Sequence, residues 1–192
     1  MILMTSYQSY AESLTPSQIS RSNSSTLAAF ESGFFHGYLN RGVSLAVVRG
    51  KTDDQIGLSY GDSANEGAID DIFVRRFGLS FRKYLGNSFN IRTDLSHFSL
   101  EDRQEWFRSN TLYKYQDIVY DFAIGNHWAF DSGLFLGADW IGFGGQLFAL
   151  SDSFTASNEE APPIAYTRKK NWKKARKNLY GTLLNFSIGI LL

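Results

Sequence analysis

The chain contains no cysteine in 192 residues. A disulfide framework, a thiolate metal site and a cysteine nucleophile are therefore excluded. It carries no net charge, with 19 basic against 19 acidic residues, which argues against a general nucleic-acid binder. No apolar run approaches the ~18 residues a transmembrane helix needs. No cluster of His, Asp and Glu has metal-ligand spacing. The glycines form no phosphate loop ahead of a helix. No metal and no cofactor are expected. The start, Met-Ile-Leu-Met-Thr-Ser, lacks the basic and apolar regions of a signal peptide. If the protein is exported, such a segment is expected to be removed or missing.

What is abundant is aromatic residues, 16% of the chain, together with 17 glycines. These are strand formers, and small residues that fit a crowded barrel interior. The length fits one domain. Residues 1–26 are rich in Ser and Thr and read as a tail or a short helix. Thr15-Pro16-Ser17-Gln18 has the form of a capping box with Pro at the first helical position. This segment lacks alternation and bulk, so it is expected to be dispensable for closing the domain at 27–192.

Within 27–192 the period is two, the mark of strands with unlike faces. Phe73, Phe77, Leu79 and Phe81 alternate with Arg76, Gly78, Ser80 and Arg82. Phe89, Ile91, Thr93 and Leu95 alternate with Asn90, Arg92, Asp94 and Ser96. About eight strands result. Tight turns are expected at 51–54, 85–87 and 125–126. Longer links are expected at 62–70, 100–111 and 151–178, and a short one at 40–42. The tight turns all fall at one end, and the longer links, with the short one at 40–42, all fall at the other.

The apolar parity is too bulky for the inside of a narrow eight-stranded barrel. Placed outside, it leaves glycines, serines and charges in the lumen. The expected lumen charges are Glu31, Arg76, Arg82, Arg92, Asp94, Asp117, Asp121, Asp131 and Asp139. Burial is tolerated when such charges pair, so a crossed Arg–carboxylate network is expected. Trp128, Trp140, Tyr120 and Tyr38 are candidates for an interfacial girdle. A soluble β-barrel that holds a small apolar ligand is the alternative with the faces reversed.

The last stretch, Tyr180–Leu192, alternates to the final residue. Phe186, Ile188, Ile190 and Leu192 share one side, and Asn185, Ser187 and Gly189 the other. The F-G-L-S-F-R-K-Y-L-G-N-S-F-N-I-R hairpin and the D-S-G-L-F-L-G-A-D-W-I-G stretch complete the pattern. Together these resemble the small bacterial outer-membrane β-barrel proteins, with Tyr180–Leu192 as the closing strand. The resemblance implies an all-β, antiparallel up-and-down transmembrane barrel in a Gram-negative outer membrane. It implies a monomer that meets membrane lipid and the barrel-assembly machinery. It specifies no activity, and a non-catalytic structural or cell-surface role is expected.

Two further features bear on function. His97 and Ser99 form an H-x-S on one strand face, with Glu101 and Glu105 nearby. This is similar to outer-membrane lipid A deacylases, in which Ser is nucleophile, His base and Glu orienting group. Leu100 stands where that family has Asn. The second feature is the basic run Arg168, Lys169, Lys170, Lys173, Lys174, Arg176 and Lys177. It reads as a solvated loop face or as a site for lipopolysaccharide phosphates. Trp172, Ala175 and Leu179 give it the apolar edge of a short helix.

Overall fold

The computed structural model describes residues 14–192 except 36–37, 50–53, 67–69, 107–108, 157–162 and 177–179. Helix α1 (Pro16–Ser22) leads into strands β1 (Thr26–Phe35), β2 (Tyr38–Arg49), β3 (Asp54–Glu66), β4 (Asp70–Tyr84), β5 (Phe89–Trp106), β6 (Ser109–Ala129) and β7 (Leu134–Ala156). Helix α2 (Pro163–Arg176) and the closing strand β8 (Tyr180–Leu191) follow. The strands form a closed antiparallel barrel in sequence order. Leu27 pairs with Leu191 and Phe30 with Ile188 across the seam. Leu192 N–H donates to Thr26 O at 2.8 Å, which seals the same seam at its end. We call the end that holds α1 and Leu192 the near end, and the opposite one the far end.

The faces sort as the alternation requires. Phe77, Leu79, Leu95, Phe186, Ile188 and Ile190 point out and are exposed, whereas Arg76, Arg82, Arg92, Asp94 and Asp121 point in and are buried. Leu191 is the inward exception in the closing strand. It packs with Leu27, Ala129 and Phe135 in an apolar ring at the near end.

Outside, the apolar runs of β2 to β7 stop at one register row, through Arg41, Asp62, Arg75, Ser99, Gln116 and Ser151, whereas on β8 Leu184 and Leu183 stay exposed beyond Phe186. On β2 the outward run Val47, Leu45, Val43 ends at Arg41. On β4 the run Phe81, Leu79, Phe77 ends at Arg75. Because barrel strands tilt, such a row climbs round the wall as a spiral. Beyond it, on β4 to β6, the two faces exchange character. Outward positions become Ser99, Glu101, Arg103, Glu105 and Lys114, while inward positions become Ile72, Val74, Phe98, Leu100, Tyr113 and Tyr115, a buried apolar cluster, before the inward parity turns polar again at Asp102, Gln104 and Thr111.

Several expected boundaries move for this reason. The expected loop at 100–111 is strand as far as Trp106 and again from Ser109. The expected link at 62–70 is strand to Glu66, and β7 runs on to Ala156 before α2. At 100–111 the pattern inverts, so a period-two reading with a fixed polar inside loses it; the ends of β3 and β7 are largely polar on both faces and lack alternation. Residues 40–42 lie within β2 rather than in a link, with Gly42 opposite Glu31. Of the expected turn at 51–54, residues 51–53 lie outside the described residues and Asp54 opens β3.

The expected turn at 125–126 is not one either. β6 continues to Ala129, and the hairpin corner is Phe130 to Gly133. Gly133, at φ +83°, takes the left-handed corner that favours glycine. Gly125 serves a different purpose, since a Cβ there would collide with the Ala138 carbonyl of β7.

β7 carries three register shifts against β6, which leave Trp140, Leu147 and Leu150 without a partner on β6. Each inserted residue bends the strand and resets its parity. A further irregularity on β8 leaves Leu184 opposite Trp140, at φ +48°. That explains why Leu183, of the opposite parity, is also exposed.

Ile188 is 53% exposed on the protein alone. In water Ile188→Arg should therefore change stability by no more than about 0.5 kcal/mol. With hydrocarbon around the barrel it should cost roughly 2–4 kcal/mol near the bilayer midplane. Urea unfolding from vesicles distinguishes these outcomes.

Candidate functional site

The lumen holds a continuous ionic chain. Asp121 pairs with Arg76 at 2.9 Å, Arg76 with Asp94 at 3.0 Å, and Asp94 with Arg92 at 2.9 Å. Arg92 then meets Asp139 at 2.5 Å, and Asp139 meets Arg82 at 2.7 Å. Arginines and aspartates alternate along the chain, so neither sign accumulates. They come from β4, β5, β6 and β7, where inward parity puts long side chains at successive positions. The facing wall, from β1, β2, β3 and β8, offers mostly small residues, Ala29, Gly33, Ser44, Gly57, Ser59 and Ser187, with Glu31, Gln55 and Asn185 as longer exceptions. The long side chains thus have room to cross the barrel. What remains is a cavity of about 60 Å³, lined in part by Glu31, Ser44, Ser59, Arg76 and Asn185. It has room for several waters.

Three members of this network are absent from the sequence-based set. His127 Nε2 lies 3.0 Å from Arg82 Nη1 and 3.1 Å from Asp139 Oδ1. Asn90 Oδ1 accepts from Arg82, and Ser96 Oγ accepts from Arg76 Nε at 2.9 Å. Asn90 and Ser96 stand on the inward parity but carry no charge to mark them. His127 adjoins the turn expected at 125–126, and a turn there hides which face it takes. Asp117 is buried farther along β6, between Tyr115 and Val119. Asp131 is a correction. It is exposed in the 130–133 corner, outside the lumen, and accepts from Ser20 Oγ at 2.8 Å.

That contact belongs to a stopper at the near end. Helix α1 begins as its sequence predicts, with Pro16 at the first turn and Gln18 Oε1 accepting from Thr15 N–H at 2.9 Å. It does not hang free. Ser17 Oγ donates to Ala129 O at 2.9 Å and accepts from Ala129 N–H at 3.0 Å. Arg21 is fully buried. Its guanidinium donates to Asn87 O at 2.8 Å and Gly86 O at 3.3 Å, and stacks 3.8 Å from the centre of the Tyr84 ring. Along its axis the lumen is thus stopped by α1, an apolar ring, the ionic chain and the far apolar cluster.

Outside, His97 and Ser99 share the outward face of β5 where the apolar run ends. His97 stands between Phe77 and Ile118, and Ser99 between Arg75 and Gln116. Glu101 is held by Lys114 at 2.8 Å and Arg103 at 2.5 Å, rather than by His97. Glu105 is exposed farther out on the same face. The four residues share a face but are not brought together as a relay. Among the girdle candidates, Trp128 and Trp140 are exposed towards the near end, and Trp140 Nε1 donates to Asn126 Oδ1 at 2.9 Å. Tyr120 is half-buried, and the Tyr38 side chain lies outside the described residues.

The basic run forms most of α2. Tyr166 packs on Phe154 at 5.4 Å between ring centres, Lys169 lies over that ring at 4.6 Å, and Lys173 pairs with Asp152 at 2.8 Å. Lys170 and Lys174 are exposed. The side chains of Arg168, Trp172, Ala175 and Arg176, and residues Lys177 and Leu179, lie outside the described residues.

Solved structures share this architecture. A major outer membrane protein from Thermus thermophilus superposes with a TM-score of 0.57 at 9% identity, over 87% of this chain and 99% of that one. The N-terminal β-barrel domain of Pseudomonas aeruginosa OprF superposes with a TM-score of 0.50 at 12% identity, over 87% of this chain and 96% of that one. No protein-family model matches the sequence, and no curated protein matches it. The chain has the fold of the small eight-stranded outer-membrane β-barrels.

Arg92→Ala should leave Asp94 and Asp139 each short of a buried partner, at a cost on the order of 3 kcal/mol. Denaturant unfolding of the folded barrel measures it, and a change below about 0.5 kcal/mol would place Arg92 in solvent. Arg21→Ala should cost about 2 kcal/mol, as loss of charged hydrogen bonds does. Deleting residues 2–24 should cost at least as much while still allowing the strands to close. If neither change lowers the unfolding midpoint, α1 is a bystander.

Proposed function

We propose that this chain is an outer-membrane β-barrel whose role is structural or interactive at the cell surface, and that it does not conduct solutes. The exchange of faces on neighbouring strands β4 to β6 carries the reading. A barrel in water needs an apolar inside along its whole length. A barrel in a bilayer needs an apolar outside within hydrocarbon and the opposite beyond it. The far end, with its long overhanging strands and α2, is then the extracellular end, and the near end is periplasmic. The expected partners are membrane lipid and the machinery that inserts such barrels, with the barrel as a monomer.

The closed lumen supports the non-conducting part. The lipid-modifying alternative has less support, because Glu101 is engaged by two cations and does not orient His97. The small-ligand alternative requires the large cavity that the ionic chain fills.

The test pairs two measurements on protein refolded in detergent. Unheated protein should migrate differently from boiled protein on a denaturing gel, and folded protein in planar bilayers should show no steady conductance. Absence of a heat-modifiable form would count against the barrel reading. Sustained single-channel openings would overturn the closed-lumen reading.

A further inference from the structure

We infer that the lumen cavity beside the ionic chain is a binding site for one hydrated monovalent metal cation, Na+ or K+, held by the Glu31 carboxylate among neutral oxygens. The inference stands on the lumen and does not need the membrane reading. The ionic chain is balanced within itself, with Arg76, Arg82 and Arg92 set against Asp94, Asp121 and Asp139. Asp117, farther along β6, is engaged elsewhere. Glu31 is a further carboxylate on the inward face. It lines the cavity and makes no ion pair or hydrogen bond among the described residues. Arg92 lies in its field but is already shared between Asp94 and Asp139. A charge enclosed without a counter-charge is costly, so one cation in the cavity restores the balance.

The register explains why Glu31 stands apart. Its row runs through Gly42 on β2 and Gly61 on β3 before it reaches Arg76 on β4. The two glycines leave open space where side chains would otherwise meet. The next inward row towards the near end supplies Ser44 and Ser59, which pair with each other, and Ser44 also pairs with Ala29. The next inward residue on β1 is Gly33, where a Cβ would lie 2.7 Å from Asn185 Oδ1. Ser44, Ser59 and Asn185 all line the cavity, and their side chains make no hydrogen bond among the described residues.

Two buried atoms point independently to a ligand. Asp94 is 7% exposed and lines the cavity. Its Oδ2 takes Arg76 and Arg92, while its Oδ1 has no hydrogen-bond partner among the described residues. Gln55 is 3% exposed, lines the same cavity, and has no partner for Nε2. Buried polar atoms seldom stay unpaired. Water meets the Gln55 donor, and the oxygens of Glu31, Asp94, Ser44, Ser59 and Asn185 are the hard ligands that a hard cation takes. A divalent ion exceeds the single uncompensated charge, and among the described residues no three His, Asp or Glu side chains come together to hold one. The cavity of about 60 Å³ admits the ion with waters that complete its shell.

The test refolds the full chain in a zwitterionic detergent with the chloride of Na+, K+ or N-methyl-D-glucamine at equal ionic strength, and reads urea unfolding. Refolding in each salt lets the ion enter as the strands close, and N-methyl-D-glucamine is too large for the cavity. Na+ or K+ should lower the unfolding constant about tenfold at roughly ten times its dissociation constant. Glu31→Gln should abolish that response. In the N-methyl-D-glucamine salt the same variant should unfold at higher urea than the unsubstituted chain, because the uncompensated charge is gone. Ser44→Ala with Ser59→Ala keeps the charge and should weaken the response several-fold. Glu105→Gln, on the outer face, should leave it intact and so controls for general screening. Equal unfolding in all three salts, or a response that survives Glu31→Gln, would overturn the cation site while leaving the barrel reading intact.

Discussion

Every backbone N–H and C=O inside hydrocarbon must find a partner within the protein, because no water is there to supply one. A sheet meets that demand only if its first and last strands pair. On the outer-membrane reading, the seam between β1 and β8 is thus the contact on which the rest of this structure depends. Its register, Leu27 with Leu191 and Phe30 with Ile188, fixes which side chains of the final strand face out. A slip of one residue would turn Ile188 and Ile190 inward and Ser187 and Gly189 outward.

Closure creates the second problem, a narrow interior with charges in it. The chain solves it by asymmetry. One half of the wall supplies arginines and aspartates, and the other half supplies residues small enough to let them cross. Alternating signs keep each buried charge beside its opposite, and removal of one member is costly because its neighbours stay behind. The apolar clusters at either end shield this layer, and Arg21 of α1 closes the near end. On the proposed reading, stability and a closed lumen come from the same side chains.

Much of this is legible in the sequence. The closing strand announces itself by alternation broken only at Leu183 and Leu191, and the β4–β5 hairpin by alternation flanking Leu85-Gly86-Asn87. The charges on the inward parity identify most of the ionic chain. Three features stay hidden for physical reasons. The faces exchange character beyond Arg75, Ser99 and Gln116, so a rule that expects polar residues inside reads strand as loop. Bulges at Trp140, Leu147 and Leu150 reset parity without a glycine or proline at the inserted position to mark them. The seating of α1 depends on Ser17 and Arg21 meeting backbone groups of distant hairpins. The capping signal predicts that helix and says nothing of where it docks.

The exchange of faces is what the membrane reading stands on, and β5 crosses it along one uninterrupted strand. Spin labels placed singly at 95, 99 and 103, in protein reconstituted into bilayers, report contact with oxygen dissolved in lipid or with a water-soluble relaxant. All three positions point outward. Position 95 should respond to oxygen, position 103 to the aqueous reagent, and position 99 should lie at the change between them. A label at 95 that sees water, or one at 103 that sees hydrocarbon, would contradict the account.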